Sequence, residues 1–254
     1  MKRLFVDIET SPNICFTWRT GRKITLQPES ILQERAIICI CYKFEEQKTI
    51  NALKWDNGDD TELLKEFAIV AEKADEIVGH NLDRFDIPWI STRNLIHNLP
   101  PLPQYKTIDT LKTARKHFYL NSNRLDYLGQ ILLGEGKIKT DYDLWKRVVL
   151  DGDNRALSEM VRYCKKDVDL LQRVYDRLSE YDSAASHAGV LSGLPRWTCP
   201  HCASENVRVS KTKTTPKGMI QKQMQCKDCH RYYTIAHSVW KKYILDKTGD
   251  LDLS

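Results

Sequence analysis

The chain has 254 residues, 41% of them hydrophobic, with a formal net charge of +5. That length accommodates one full α/β core and a small appendage, and no stretch approaches the roughly 18 apolar residues of a membrane span. MKRLFVDIET runs straight into a strand pattern with no signal-peptide segment, so the expected location is cytoplasmic, the host's cytoplasm if the chain is phage-encoded.

In chain order, residues 4–9, 14–19, 36–44 and 50–55 are short, rich in β-branched and aromatic side chains, and separated by Pro, Gly or charged turns. They predict successive strands of an antiparallel meander. TELLKEFAIVAEKA (61–74) has helical apolar spacing, and EIVGHN (76–81) returns as a strand. Helix is expected to dominate from 84 to 183, with breaks at Pro88, at the PPLP of 100–103 and at Gly129; residues 156–181 form the longest helix. Strands first, helices afterwards and one strand-helix-strand crossover predict an α/β fold, a mixed β-sheet flanked by helices. Small, flexible residues then mark 183–195 as a linker between a domain at 1–182 and a C-terminal piece at 196–254. That piece holds 11 Lys and Arg against 5 Asp and Glu, whereas the remainder holds 28 against 29. A polyanionic partner is therefore expected at the C-terminal end.

The strand FVDIET places Asp7 and Glu9 on one side and Leu4, Val6 and Ile8 on the other. Two adjacent carboxylates repel and raise each other's pKa unless a cation lies between them. Further carboxylates stand where they can join the pair. In GHNLDRFDIPWI (79–90) Asp86 opens a helix after a strand that ends near Asn81. In MVRYCKKDVDLL (160–171) Tyr163 and Asp167 share one helix face, a turn apart. His80 and Asn81 read as turn-shaping residues, with Asn81 also a candidate nucleic-acid contact, Asp109 as an N-cap, and Lys112, Arg115, Lys116 and Arg124 as a solvated face. Cys39, Cys41 and Trp145 read as core.

Together and in this order, Asp7 and Glu9, Asn81 with Phe85 and Asp86, and Tyr163 with Asp167 resemble the DEDD family of 3′→5′ exonucleases in the ribonuclease H-like superfamily. Tyr163 in place of His points to the tyrosine subgroup (DEDDy). The resemblance implies a hydrolase that uses two Mg²⁺ or Mn²⁺ ions to release nucleoside 5′-monophosphates from 3′ ends. Asp7 would bridge both ions, Glu9 and Asp167 would hold the one that activates water, Asp86 would support the other, and Tyr163 would orient the water. Hard oxygen donors suit these ions. DNA is favoured over RNA as the polymer, with single-stranded 3′ ends. No polymerase region follows, which implies a freestanding enzyme or a subunit working with replication or repair proteins. A structure-specific endonuclease or RNA-processing nuclease is the alternative reading. A noncatalytic nucleic-acid-binding protein on the same scaffold is the third.

Of eight cysteines, Cys15, Cys39, Cys41 and Cys164 lie scattered in apolar surroundings and are expected to be buried thiols. Cys199, Cys202, Cys226 and Cys229 form two CxxC knuckles 23 residues apart. That spacing closes a tetrahedral Cys₄ zinc site in a unit too small to fold on its own core. The segment resembles the zinc ribbons of transposases and other DNA-associated proteins. Arg208, Lys211, Lys213, Lys217 and Lys222 form a basic strip expected on one hairpin, where it could contact phosphates, with Tyr232 and Tyr233 available for stacking.

Overall fold

The protein, seen as a computed structural model, is described at residues 1–18, 21, 23–136 and 141–249. It divides into two compact units, Lys2–Ser179 and a C-terminal unit, Glu180–Ser254 joined by Met1.

The larger unit opens with β1 (Arg3–Thr10), β2 (Ile14–Cys15), β3 (Ile31–Gln33), β4 (Ile37–Phe44) and β5 (Asn51–Lys54). Helix α1 (Thr61–Ala71), β6 (Glu76–Gly79), α2 (Asp86–Ile96), β7 (Lys106–Asp109) and α3 (Thr110–His117) follow. Three more helices complete it: α4 (Leu125–Leu133), α5 (Tyr142–Val149) and the 25-residue α6 (Asn154–Leu178). The sheet order is β5-β4-β1-β6-β7, antiparallel from β1 through β4 to β5 and parallel from β1 through β6 to β7. The expected mixed sheet flanked by helices is therefore present. Among the described residues no helix is long and apolar enough to cross a membrane.

Alternation along β1 sorts two cores. Leu4, Val6 and Ile8 pack with Leu64 and Phe67 of α1 and Ile90 of α2. Phe5 points the other way, into a cluster with Cys39 and Cys41 of β4 and Cys164, Val168 and Leu171 of α6. A third cluster, around Ile38, Trp55, Leu144 and Met160, ties α5 to the sheet. Trp145 packs only partly there and is half-buried. Cys15 is half-buried too, unlike the other three scattered cysteines.

Several expectations are corrected. Of the strand expected at 14–19, Ile14–Cys15 forms β2, which pairs with β3 in a separate ribbon and not in the meander, while Arg19 lies outside the described residues. The stretch read as helical contains β7, a four-residue edge strand too short for its periodicity to register. Pro88 breaks nothing: it is the third residue of α2, where a backbone N–H would have no partner inside the helix. Gly129 lies inside α4, where a Cβ would come within 2.8 Å of Leu170 and 2.6 Å of the Glu135 carbonyl. It permits close approach of α4 to α6 instead of ending a helix.

In the C-terminal unit, residues 183–195 carry α7 (Ala188–Leu191), and Gly189 packs tightly against Thr198. Strands β8 (Val207–Thr214), β9 (Ile220–Cys226) and β10 (Tyr232–Ala236) form an antiparallel sheet of order β10-β9-β8, followed by α8 (His237–Thr248). Trp197, Val207, Met224, Cys226 and Ile235 fill a small core covered by Trp240 and Tyr243 of α8.

Candidate functional site

β1 pairs with β6 only from Arg3 to Phe5. Beyond Phe5 the strand runs past its parallel neighbour, and the freed Ile8 N–H donates to Asp86 Oδ1 at 3.2 Å. This is the carboxyl end of a central strand, where open α/β sheets form binding crevices. Asp86 is the first residue of α2, and the turn that delivers it is tightly built. A Cβ on Gly79 would lie 2.8 Å from Leu82. Asn81 adopts φ +66°, a left-handed conformation that Asn tolerates. Its N–H donates to Asp109 Oδ1 at 2.9 Å, while Asp109 also accepts from Leu111 N at 3.0 Å as the N-cap of α3. His80 Nδ1 meets Thr110 Oγ1 at 2.9 Å, which keeps the histidine in the same turn. Lys112 pairs with Asp83 on the exposed face.

On the opposite side of β1, α6 presents a buried stripe that includes Met160, Cys164, Val168 and Leu171. Asp167 is the one acid in that buried stripe and is only 2% exposed. Its position brings the carboxylate oxygens of Asp7, Glu9 and Asp167 within 4.8 Å of one another. Tyr163 is half-buried one turn earlier on α6. Asp86 is also 2% exposed. Burial, followed by the charge of Asp7, pushes its carboxyl well above the usual carboxylate range, against the pull of the backbone N–H groups of Asp86 and Ile8. The sequence-expected carboxylates thus gather at one end of β1, Asp86 and Asp167 buried and Asp7 and Glu9 half-buried, where a cation would relieve their mutual repulsion.

Beneath it, Cys41 and Cys39 stand opposite Asp7 and Glu9 in the β1–β4 register. Cys164 Sγ lies 3.5 Å from Asp7 Oδ2, so thiols form the floor of the site.

Two site-wall residues escaped the sequence reading. A cleft of about 340 Å³ beside Glu9 is lined by Thr10, Arg35, Tyr142 and Trp145, among others. Trp145 Nε1 donates to the Thr10 carbonyl at 3.2 Å. Arg35 donates to Thr10 Oγ1 at 2.9 Å and to the Ser11 carbonyl at 3.1 Å, with its guanidinium over the Trp89 ring. No spacing rule marks either residue, because the cleft joins segments more than 100 residues apart.

In the C-terminal unit the sulfurs of Cys199, Cys202, Cys226 and Cys229 lie within 4.8 Å of one another, with Cys199–Cys229 and Cys202–Cys226 each at 3.6 Å. Four Zn–S bonds of 2.3 Å in a tetrahedron require about 3.8 Å between sulfurs, so the set fits zinc. Burial raises the Cys226 thiol, but the N–H groups of Cys229 and Asp228 and the neighbouring thiols outweigh it and bring it down to about 7. Each knuckle closes with a left-handed residue, Ala203 at φ +63° and His230 at φ +61°. His201 bonds to Arg231 at 2.9 Å.

The basic strip is not a single strip. Lys222 lies on the α8 side of the sheet, over the Trp240 ring and bonded to Thr212 Oγ1, and Lys217 sits in the β8–β9 turn.

A family model described as the RNase_H superfamily matches residues 30–179, more than half the chain, beginning after the strand that carries Asp7 and Glu9. Comparison with curated proteins finds no match. Among solved structures, the chain is similar to the family B DNA polymerase of the hyperthermophilic archaeon Pyrobaculum calidifontis. The TM-score is 0.54 at 17% identity, over 70% of this chain and 24% of the polymerase. At that identity the likeness is one of fold, and this chain spans about a quarter of the polymerase's length.

Proposed function

Because the chain belongs to the RNase_H superfamily, we propose that it is a metal-dependent 3′→5′ exonuclease of the tyrosine subgroup of the DEDD family. On this reading residues 1–182 form the catalytic domain, 183–195 lead out of it, and 196–254 form a zinc ribbon that helps hold the nucleic acid. The observation that carries the reading is the convergence of Asp7, Glu9 and Asp167 beside the buried Asp86. Asp7, Glu9, Asp86 and Asp167 would hold two Mg²⁺ or Mn²⁺ ions, which supply Lewis acidity and lower the pKa of water when bound.

The chain's own side chains do the rest. The Tyr163 hydroxyl positions a water and does not deprotonate it. Trp145 and the pinned Arg35 wall a cleft large enough for a terminal nucleoside beside Glu9. The Ile8 N–H holds Asp86 in one orientation. DNA with a single-stranded 3′ end is the favoured substrate, and the products are nucleoside 5′-monophosphates.

The test is a time course on 5′-labelled single-stranded DNA and RNA with Mg²⁺ or Mn²⁺. A ladder shortening from the 3′ end, lost with EDTA and in Asp7→Ala, is expected. A 3′-blocked substrate that is still cut internally would replace this reading with an endonuclease. Intact substrate with all metals and both polymers would remove catalysis altogether.

A further inference from the structure

In β8 the residues VRVSKTKT carry Arg208, Lys211 and Lys213. Simple alternation would put Arg208 on one face of the sheet and both lysines on the other. The register prevents this. Arg208 pairs with Gln225 and Val209 with Met224, then the pairing shifts and Lys211 meets Gln223 and Lys213 meets Gln221. The extra residue, Ser210, is a β-bulge, which returns the cations to one side.

Central strand β9 has no such irregularity, so Gln221, Gln223 and Gln225 share a face, and their partners on both sides share it too. Across β10 those partners are Ala236, Thr234 and Tyr232. The opposite face holds Met224, Cys226, Val207 and Ile235 and is covered by α8. The open face therefore has three exposed cations along one edge, a column of three glutamine amides along the middle, and a tyrosine, 53% exposed, on the far strand. None of the three strands contains Asp or Glu. Arg208 donates twice to Gln225 Oε1, which orients that amide on the face.

We propose that this open face of the three-stranded sheet binds single-stranded nucleic acid, with the β8 cations on phosphates, the β9 glutamines on base edges and Tyr232 under a base. The inference rests on the nuclease reading for the identity of the polymer. Glutamine amides offer a donor and an acceptor together, which match the edges of unpaired bases. A flat sheet with an exposed aromatic ring accepts splayed bases, whereas a closed duplex would offer it only phosphates.

The test uses the full zinc-loaded chain carrying Asp7→Ala, so that binding is read without cleavage. Fluorescence anisotropy would follow labelled single strands and duplexes from 50 to 300 mM salt. The triple variant Arg208→Ala, Lys211→Ala, Lys213→Ala is expected to weaken single-strand binding by tenfold or more. Its salt slope should fall by about 2, at roughly 0.7 per phosphate contact. Tyr232→Ala should weaken binding at least about fivefold. Gln223→Ala with Gln225→Ala should erase the preference for single strand over duplex while leaving the salt slope in place. Lys222→Ala, on the covered side, should change affinity less than twofold. All of these side chains except Lys222 lie on the exposed face, and zinc content with far-UV circular dichroism verifies each fold.

Duplex bound as tightly as single strand by the parent chain would overturn the proposal. So would a loss in Lys222→Ala equal to that of the triple variant. Failure of the nuclease reading shows separately, as a chain with intact Asp7 that binds this way and cuts nothing.

Discussion

Two of the sets of metal-type donors, the carboxylates at the end of β1 and the cysteines of the C-terminal unit, are built on opposite principles. The carboxylate cluster draws oxygens from residues 7, 9 and 167, with Asp86 beside Asp7, on a strand and two helices that large apolar clusters already fix. The cysteine site draws four sulfurs from within 31 residues, in a unit whose own core is a handful of side chains. In the first case the fold holds the donors. In the second the donors are expected to hold the fold through a bound metal, because small units cannot bury enough apolar surface to offset chain entropy.

Removing the metals is the strongest way to break this contrast. Stripping zinc, or Cys226→Ser, is expected to unfold the C-terminal unit, since structural zinc contributes on the order of 10 kcal/mol to such sites. Hydrogen exchange should rise across residues 196–249 and stay low in β1, β4 and α6. In the larger unit the sign is reversed. Asp7→Ala should abolish nuclease activity by at least about 10³-fold, an effect of the order of losing a stabilised transition-state charge. Its Tm in EDTA should be unchanged or higher, because one of several crowded carboxylates is gone. Equal Tm losses in both variants would mean that the two sites are built alike.

A smaller effect sharpens what does hold the larger unit. Asp60 is fully buried and accepts from Arg93 Nε and Nη2 at 2.8 Å each, with His97 Nε2 at 2.7 Å and the Ile37 N–H at 2.8 Å. Burial raises its pKa, but these partners outweigh burial and hold the carboxyl below its usual range. A depressed carboxylate stabilises the fold above the unfolded value of about 3.9, and that contribution is lost as pH falls through the lower folded value. Arg93→Met should cost about 3–5 kcal/mol at pH 7 by leaving the charge unpaired. Thermal melts between pH 7 and 2 should show a smaller fall for the variant than for the parent. The smallest effect lies in the knuckles: Ala203→Gly relieves a left-handed alanine and should raise the Tm of the zinc-loaded C-terminal unit by an amount worth about 1 kcal/mol.

Asp7, Glu9, Asp86, Tyr163 and Asp167 are singled out together by the resemblance of their three segments to the DEDD family, while strand and helix periods place Asp7 beside Glu9 and Tyr163 a turn from Asp167. The two CxxC pairs are legible from their spacing. What escaped depends on through-space geometry. The Arg35–Trp145 cleft forms between distant segments, β7 is too short to show a period, and Gly129 serves a close approach that no local pattern encodes. The basic residues do lie on one hairpin, as expected, but their sidedness escaped: the bulge at Ser210 brings Arg208, Lys211 and Lys213 to one face, whereas the alternation of β9 puts Lys222 on the other.

Strand β1 is made first yet lies in the middle of its sheet, between β4 and β6. During synthesis its two edges go without their final neighbours until residues 37–44 and then 76–79 have emerged, which leaves an apolar strand open to pairing with other chains. The order also staggers the carboxylate site: Asp167 arrives some 160 residues after Asp7, so no nascent fragment ending before α6 has a complete set of donors. If the proposed nuclease activity holds, a half-made chain is sticky before it can be destructive.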